Sequence, residues 1–153
     1  MSLETTTRML APFLDRLSDE ELDAIPYGVV QLNSEGRVLS FNRSESNELG
    51  WSSGRPLGLD FFDEVAPSAF VADVYGRFVN AFTTHHLDEI FRFTYGHLDM
   101  PRTVQMRMYF SPRTSTLWIF TANPDGSALG ANAPYCDVRD APRQPCFAMM
   151  VPA

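Results

Sequence analysis

Cysteine is scarce in this sequence, and it has none of the long apolar runs found in membrane proteins. Only Cys136 and Cys146 occur among its 153 residues, and two thiols without a secretion signal are more often reduced than bridged. Residues 1–5 do not combine a basic segment with a following apolar run, so no signal peptide is expected. No apolar stretch approaches the roughly 20 residues that span a bilayer. These absences predict a cytoplasmic protein with no membrane partner.

Positive charge is also in short supply. The chain carries 19 Asp and Glu against 12 Lys and Arg, a formal net charge of -7. Nucleic acids and anionic membranes favour clusters of basic residues, so neither is expected as the main partner. The sequence also lacks a Gly-rich phosphate loop, a Gly-x-Ser-x-Gly elbow and any spacing of His, Cys and carboxylates typical of a metal site. No metal is therefore expected.

Aromatic residues are abundant, and the chain has the length of one ordinary domain. Twelve Phe, five Tyr and two Trp are enough to fill a core or to line a pocket. We predict a helical cap over 1–24, a core domain over 25–122 and an irregular tail over 123–153. The tail is rich in Pro and Gly and contains both cysteines, which we interpret as simple tail residues.

Hydrophobic periodicity predicts the secondary structure. Apolar residues recur at helical spacing over 5–24, where Ser18 and Glu21 have the spacing of a capping box, so two short helices fit there. Further helices are predicted over 42–50, 60–65 and 70–82, the last with the clearest period. Strands are predicted at 27–32, 37–41, 89–95, 102–110 and 115–121, and the first two form a hairpin. Five antiparallel strands with helices on one face make an α+β domain.

Two stretches carry a resemblance to a known family. Residues 25–42 look like the opening of a PAS domain. They comprise an apolar strand, a polar turn with Gly36, a second strand and the helix-capping Asn42. Residues 58–67, followed by 74–78, resemble the photoactive yellow protein family. Its members attach p-coumaric acid to a cysteine that directly follows Ala-Pro. The likeness covers about 25–121 and implies a PAS fold.

Several positions that contact the chromophore in that family differ here. The cysteine position is Ser68, and serine is a poor nucleophile without a neighbouring base. The family's buried acid is kept as Glu45, but its tyrosine partner is Phe41. A supporting threonine is replaced by Leu49, and the arginine that covers the pocket by Trp51. The resemblance therefore implies a pocket of similar shape that is more apolar, and no p-coumaric acid is expected.

The resemblance implies a ligand-binding set around Glu45. Its predicted members are Phe41, Glu45, Leu49, Trp51, Phe61, Phe62, Ser68, Tyr95, His97 and Met100. A buried Glu45 is expected to have a raised pKa, because desolvation disfavours its charged form. His97 is also compatible with an exposed loop. The adjacent His85 and His86 are interpreted as surface residues, so no haem is expected.

Two functions remain open at this stage. The favoured one is a binding module that holds a small apolar or aromatic ligand non-covalently for sensing or signalling, with a homodimer contact or a signalling protein as further partner. The alternative is a stand-alone PAS-fold enzyme that acts on a small-molecule biosynthetic intermediate, with Glu45 as general acid/base. The sequence shows no output domain, which favours the enzyme or a protein–protein adaptor, but it also shows no second catalytic group to act with Glu45.

Overall fold

The computed structural model describes residues 2–51, 54–96 and 100–129. Along the chain these residues form α1 (Leu3–Leu10), a 3-10 helix (Ala11–Arg16), α2 (Asp19–Ala24), β1 (Gly28–Leu32), β2 (Val38–Phe41), α3 (Arg43–Leu49), a π-helical turn (Phe61–Val65), a 3-10 turn (Pro67–Ala69), a second π-helical turn (Ala72–Gly76), α4 (Arg77–Thr84), β3 (Asp88–Tyr95), β4 (Arg102–Ser111) and β5 (Thr116–Ala122).

The strands form one antiparallel sheet in the order β2-β1-β5-β4-β3. The hairpin partner β2 pairs with β1 on one side, and β5, from the far end of the described chain, pairs with β1 on the other. In that register Gly28 lies opposite Thr121. The predicted α+β class with a five-stranded antiparallel sheet is confirmed.

Side chains alternate along each strand, so the sheet presents residues on both of its faces. Each face is covered by its own apolar cluster. Val30, Leu117 and Ile119 point into the main core, together with side chains from α3, α4 and the helical turns. The opposite face, including Trp118 and Phe120, packs against the N-terminal helices. Every residue of β5 is buried, as expected of a strand covered on both faces.

The predicted N-terminal cap forms as two α-helices joined by the 3-10 helix. Ser18 and Glu21 form the predicted capping box, with bonds of 2.8 and 3.2 Å. Polar contacts also attach the cap to the sheet. Arg107 on β4 pairs with Asp88 through two bonds of 2.8 Å and donates to the Thr7 hydroxyl at 2.8 Å. The cap is therefore held to the sheet by polar as well as apolar contacts.

The helix predicted over 70–82 starts later and ends later than expected. Val71 is extended, with φ -138 and ψ 166, and the helical segment begins at Ala72 with a π-helical turn before α4. A 3-10 turn over Pro67–Ala69 precedes this extended segment. Phe70, the first residue of the predicted apolar stripe, is consequently 60% exposed. α4 continues to Thr84 and ends at His85, which has φ 59.

The start of the predicted tail folds back onto the cap. The Leu3 amide donates to the Gly126 carbonyl at 2.9 Å, and the Leu129 amide donates to the Pro26 carbonyl at 2.9 Å. Cys136 and Cys146 lie outside the described residues. No helix in the described ranges is long and apolar enough to cross a membrane.

Candidate functional site

The short helix α3 positions the main candidate side chain, and Asn42 anchors that helix. The Asn42 Oδ1 atom accepts from the backbone amides of Val29, at 2.9 Å, and Glu45, at 3.1 Å. Its Nδ2 atom donates to the carbonyls of Leu22, at 2.8 Å, and Tyr27, at 2.9 Å. One buried amide therefore fixes α3 to both β1 and the end of the cap.

Glu45 is fully buried and its carboxyl lies against the backbone of β1. A Cβ atom at Gly28 would stand 1.9 Å from the Glu45 Oε1 atom and 3.1 Å from the Thr121 Cβ atom. Only glycine leaves room for the carboxyl at this strand position. Gly28 and Thr121 oppose each other in the sheet, so the carboxyl reaches the main-core face between β1 and β5.

The Glu45 carboxyl has few hydrogen bonds to offset the cost of its burial. Among the described residues, no group makes a hydrogen bond of normal geometry to either carboxyl oxygen. Desolvation raises the pKa of Glu45 to about 8, and the negative charge of Glu48 adds to the rise, while the Thr121 hydroxyl opposes it. A carboxyl with this pKa is mostly protonated at neutral pH and can donate a hydrogen bond.

Tyr95 brings a phenol to the same buried region. The ring is fully buried and meets Phe93 edge-on, with 5.2 Å between ring centroids. Burial raises the pKa of Tyr95 well above its usual value, and the charge of Glu45 adds to this, while the Thr121 hydroxyl lowers it. Glu45, Tyr95 and Thr121 thus form a polar cluster inside the apolar core, which we call the buried cluster.

The sequence interpretation included Glu45 and Tyr95 but missed Gly28 and Thr121. Thr121 continues the alternation of Leu117 and Ile119, so a polar residue on the core-facing side of a buried strand was the available signal. Gly28 carried a weaker signal, as a glycine inside a strand often marks a close approach by another group.

An ion pair lies at the edge of the buried cluster. Arg102 on β4 pairs with Glu48 on α3, and its second amino group donates to the Asn123 side chain at 2.8 Å. Glu48 is the residue whose charge raises the pKa of both Glu45 and Tyr95. The negative charge of Glu48 therefore disfavours ionisation of Glu45.

Comparison with known proteins identifies the family. No family model matches the chain. The solved photoactive yellow protein domain of the sensor histidine kinase Ppr from Rhodospirillum centenum is 33% identical, with a TM-score of 0.69, and the match covers 74% of this chain and 99% of that domain. The chain belongs to the photoactive yellow protein family of PAS domains.

Two further comparisons give the same family and the same fold. The photoactive yellow protein of Halochromatium salexigens is 28% identical over 107 residues, 70% of this chain and 86% of that protein. The PAS domain of the Cronobacter turicensis RpfR quorum-sensing receptor, solved in complex with BDSF, is 16% identical, covers 64% of this chain and 93% of that one, and has a TM-score of 0.52. The second likeness shows the fold alone.

The structure assembles part of the ligand set implied by the photoactive yellow protein family. Five predicted members are buried in the main core, namely Phe41, Leu49, Phe61, Phe62 and Tyr95, and Trp51 packs against them. Ser68 is half-buried in the 3-10 turn after Ala66. Met100 is 80% exposed and does not join this core. His97 lies outside the described residues.

Candidate metal and haem ligands are not gathered in the part of the chain that the structure describes. No group of three or more His, Cys, Asp or Glu in those ranges is placed to hold a metal ion. His85 and His86 are both exposed at the end of α4. The His85 ring contacts the Phe110 ring, with 5.9 Å between centroids.

Proposed function

We propose that this PAS domain senses a small apolar or aromatic molecule, which it binds non-covalently. One oxygen atom of this molecule would form a hydrogen bond with the Glu45 carboxyl. The observation that carries the proposal is the buried Glu45 carboxyl, whose oxygens receive no hydrogen bond of normal geometry from the described residues. Buried polar groups in native proteins are nearly always paired. A ligand carbonyl or phenol oxygen at this point would accept a hydrogen bond from the neutral carboxyl.

The surroundings of Glu45 favour an apolar ligand body. Phe41 and Leu49 lie in the same buried core, and their side chains offer no hydrogen bond. Pockets that bind small molecules are typically apolar, with a few polar groups that fix orientation. Because Glu45 is fully buried, the ligand would enter through a local opening of the core.

The residues present do not fit the p-coumaroyl thioester of the family. The side chain that follows Ala66 and Pro67 is a serine hydroxyl, which cannot form a thioester and is a weak nucleophile. Phe41 has no hydroxyl to donate to a phenolate. We therefore infer that this chain has lost the chromophore and has kept the buried acid for another ligand.

The sensory role is supported by the relatives. The Rhodospirillum centenum domain is part of a sensor histidine kinase. In this chain the cap packs directly on the sheet face opposite the main core, through Trp118 and Phe120. Since β5 contributes to both faces, a ligand that shifts Thr121 would also shift the contacts of the cap. A signalling partner or a second copy would then respond to the altered cap.

One observation favours the enzyme alternative. A carboxyl with a pKa of about 8 suits general acid/base catalysis near neutral pH, and the Tyr95 phenol is part of the same cluster. In that case the same site would convert the small molecule that it binds. The two functions differ in whether the bound molecule is recovered unchanged.

The proposal is tested with the wild-type chain, Glu45→Gln and the control Glu20→Gln. Native mass spectrometry of protein from its own host identifies a co-purifying molecule, and calorimetry with 4-hydroxybenzaldehyde and benzaldehyde as probes measures binding. We expect binding by wild type and Glu20→Gln and a loss of about tenfold or more in Glu45→Gln. Equal binding by Glu45→Gln would refute a role of Glu45 in recognition. A probe recovered with altered mass would establish the enzyme.

A further inference from the structure

A groove of about 470 Å³ opens on the outer side of the helical segment, away from the buried cluster. One side of it is a continuous aromatic surface. Phe62 meets Tyr75 and Phe78 edge-on, with 5.0 and 5.1 Å between ring centroids. Phe70 meets Tyr75 at 4.7 Å. Phe62 and Phe78 are buried and form the floor, while Tyr75 and Phe70 form the outer wall.

Burial does not explain why Phe70 stands in this position. The side chain is 60% exposed at the rim of the groove, because the extended Val71 separates it from the helical segment. An exposed phenylalanine costs solubility and adds nothing to the core. It does extend the aromatic wall of the groove beyond Tyr75.

The groove also has acidic lining residues. It is lined by Ser34, Glu35, Asp60 and Asp63. Asp60 is fixed in place, since its Oδ1 atom accepts from the amides of Phe62, at 2.9 Å, and Asp63, at 3.2 Å. Three carboxylates and four aromatic rings therefore line one cavity.

Little positive charge balances these carboxylates. Arg37 reaches Glu35 only at 3.9 Å and also donates to the Gly58 carbonyl at 3.1 Å. Arg77, on the neighbouring α4, is paired with Glu89 and stacks over Phe91. The sequence contains no lysine, so the chain has no side-chain ammonium of its own to fill the groove.

We infer that this groove binds a small organic ammonium ion, with a quaternary ammonium head the best match. Aromatic faces attract cations, and clusters of aromatic rings are the usual recognition site for quaternary ammonium groups. Carboxylates add a Coulomb attraction that a neutral molecule does not feel. The cavity volume lies within the range of small-molecule sites. The inference does not depend on Glu45, which does not line the groove.

The test compares choline chloride with its uncharged carbon isostere, in which a tert-butyl group replaces the trimethylammonium head. Calorimetry measures affinity, and NMR shifts of the aromatic ring protons report the location. We expect saturable choline binding that weakens with added salt. We expect the isostere to bind at least about tenfold more weakly, because it has no charge to interact with the rings and carboxylates.

Two pairs of variants locate the site. Phe70→Leu removes a rim ring, and Phe13→Leu is its control, a phenylalanine that is 51% exposed on the cap. Asp63→Asn removes a lining charge, and Asp73→Asn is its control at an exposed aspartate outside the groove. We expect each groove variant to weaken choline binding about threefold to tenfold, and each control to leave it unchanged.

Three outcomes would overturn the inference. The first is the absence of saturable choline binding by the wild-type chain. The second is equal affinity for choline and its isostere, which would leave only an apolar contact. The third is an equal effect of the groove variants and their controls, which would place choline elsewhere on the surface. None of these outcomes bears on ligand binding at Glu45, which is measured with a different probe and variant.

Discussion

The carboxyl of Glu45 lies so close to the β1 backbone that a Cβ atom at Gly28 would stand 1.9 Å from Oε1. Glu45 is fully buried, so a carboxyl displaced by that Cβ atom would have to move against its neighbours in the core. The glycine and the acid therefore form one structural unit, although α3 and β1 are separate elements.

We expect Gly28→Ala to destabilise the fold by about 2 kcal/mol or more, since an extra methyl in a packed core forces its neighbours apart. Urea unfolding measures the change. Gly96→Ala is the matched control, because Gly96 has no atom of the described residues within 4 Å of the added Cβ. In a Glu45→Ala background the Gly28→Ala change should cost less. Equal costs in both backgrounds would show that the two residues do not interact.

The stability of the protein should depend on pH through Glu45. Its pKa is about 8 in the folded state against 4.5 as the reference value, so the folded state holds a proton that the unfolded state has released in between. The stabilisation is complete below the unfolded pKa and is lost as pH rises towards the folded one. We expect this single group to lower the free energy of unfolding by about 1.4 kcal/mol per pH unit between these two values.

Glu45→Gln should remove that part of the pH dependence, whereas Glu20→Gln should keep it. Urea unfolding at a series of pH values gives the slope for each chain. Infrared spectroscopy at neutral pH should show the carbonyl stretch of a protonated carboxylic acid in wild type and not in Glu45→Gln. Parallel slopes for wild type and Glu45→Gln, with no such band, would mean that the carboxyl is ionised.

The unmutated chain should form no yellow adduct with activated p-coumaric acid, because Ser68 supplies no thiol. The experiment uses a background in which Cys136 and Cys146 are changed to Ser, so that tail thiols cannot react. Ser68→Cys in that background should gain the mass of one p-coumaroyl group, with a shifted and unstable colour because Phe41 cannot donate to the phenolate. Ser34→Cys, at an exposed loop position, controls for non-specific acylation. A visible band in the background that keeps Ser68 would contradict the proposed loss of the chromophore.

Asn42→Ala should destabilise the fold by about 3 kcal/mol, which is more than the loss of an ordinary helix cap. The Asn42 side chain pairs with the amides of Val29 and Glu45 and with two backbone carbonyls, all of which lose a partner. Asn47→Ala, at an exposed position of the same helix, should change stability by less than about 0.5 kcal/mol. Thermal and urea unfolding measure both variants. Similar small losses would show that the Asn42 network is dispensable.

The packing of the cap can be tested at Leu14, which is buried against the sheet. Leu14→Ala should cost about 2–5 kcal/mol, and it should alter the fluorescence of Trp118, which belongs to the same apolar cluster. Met9→Ala, at a position where the side chain is 59% exposed, should do neither. An unchanged midpoint and spectrum in Leu14→Ala would show that the cap contributes little to stability.

Local chemistry was sufficient to predict much of the fold from the sequence. The capping box at Ser18 and Glu21, the cap at Asn42 and the helix end at Gly50 all depend on residues within one turn of each other, and the structure confirms them. Hydrophobic patterning likewise predicted a strand over 115–121, and the structure has β5 at Thr116–Ala122. The start of the helix at Ala72 was missed, because Phe70 and Val71 continue the apolar pattern of the helix although Val71 is extended.

The site required the tertiary structure. The sequence itself determined that an acid occupies position 45 and that no cysteine follows Ala66 and Pro67. It did not determine that Glu45 meets Gly28, Tyr95 and Thr121, since that contact depends on pairing β1 with the distant β5. The raised pKa has the same origin. Desolvation is its largest cause, and desolvation exists only once residues far apart in the chain have closed around the carboxyl and excluded water.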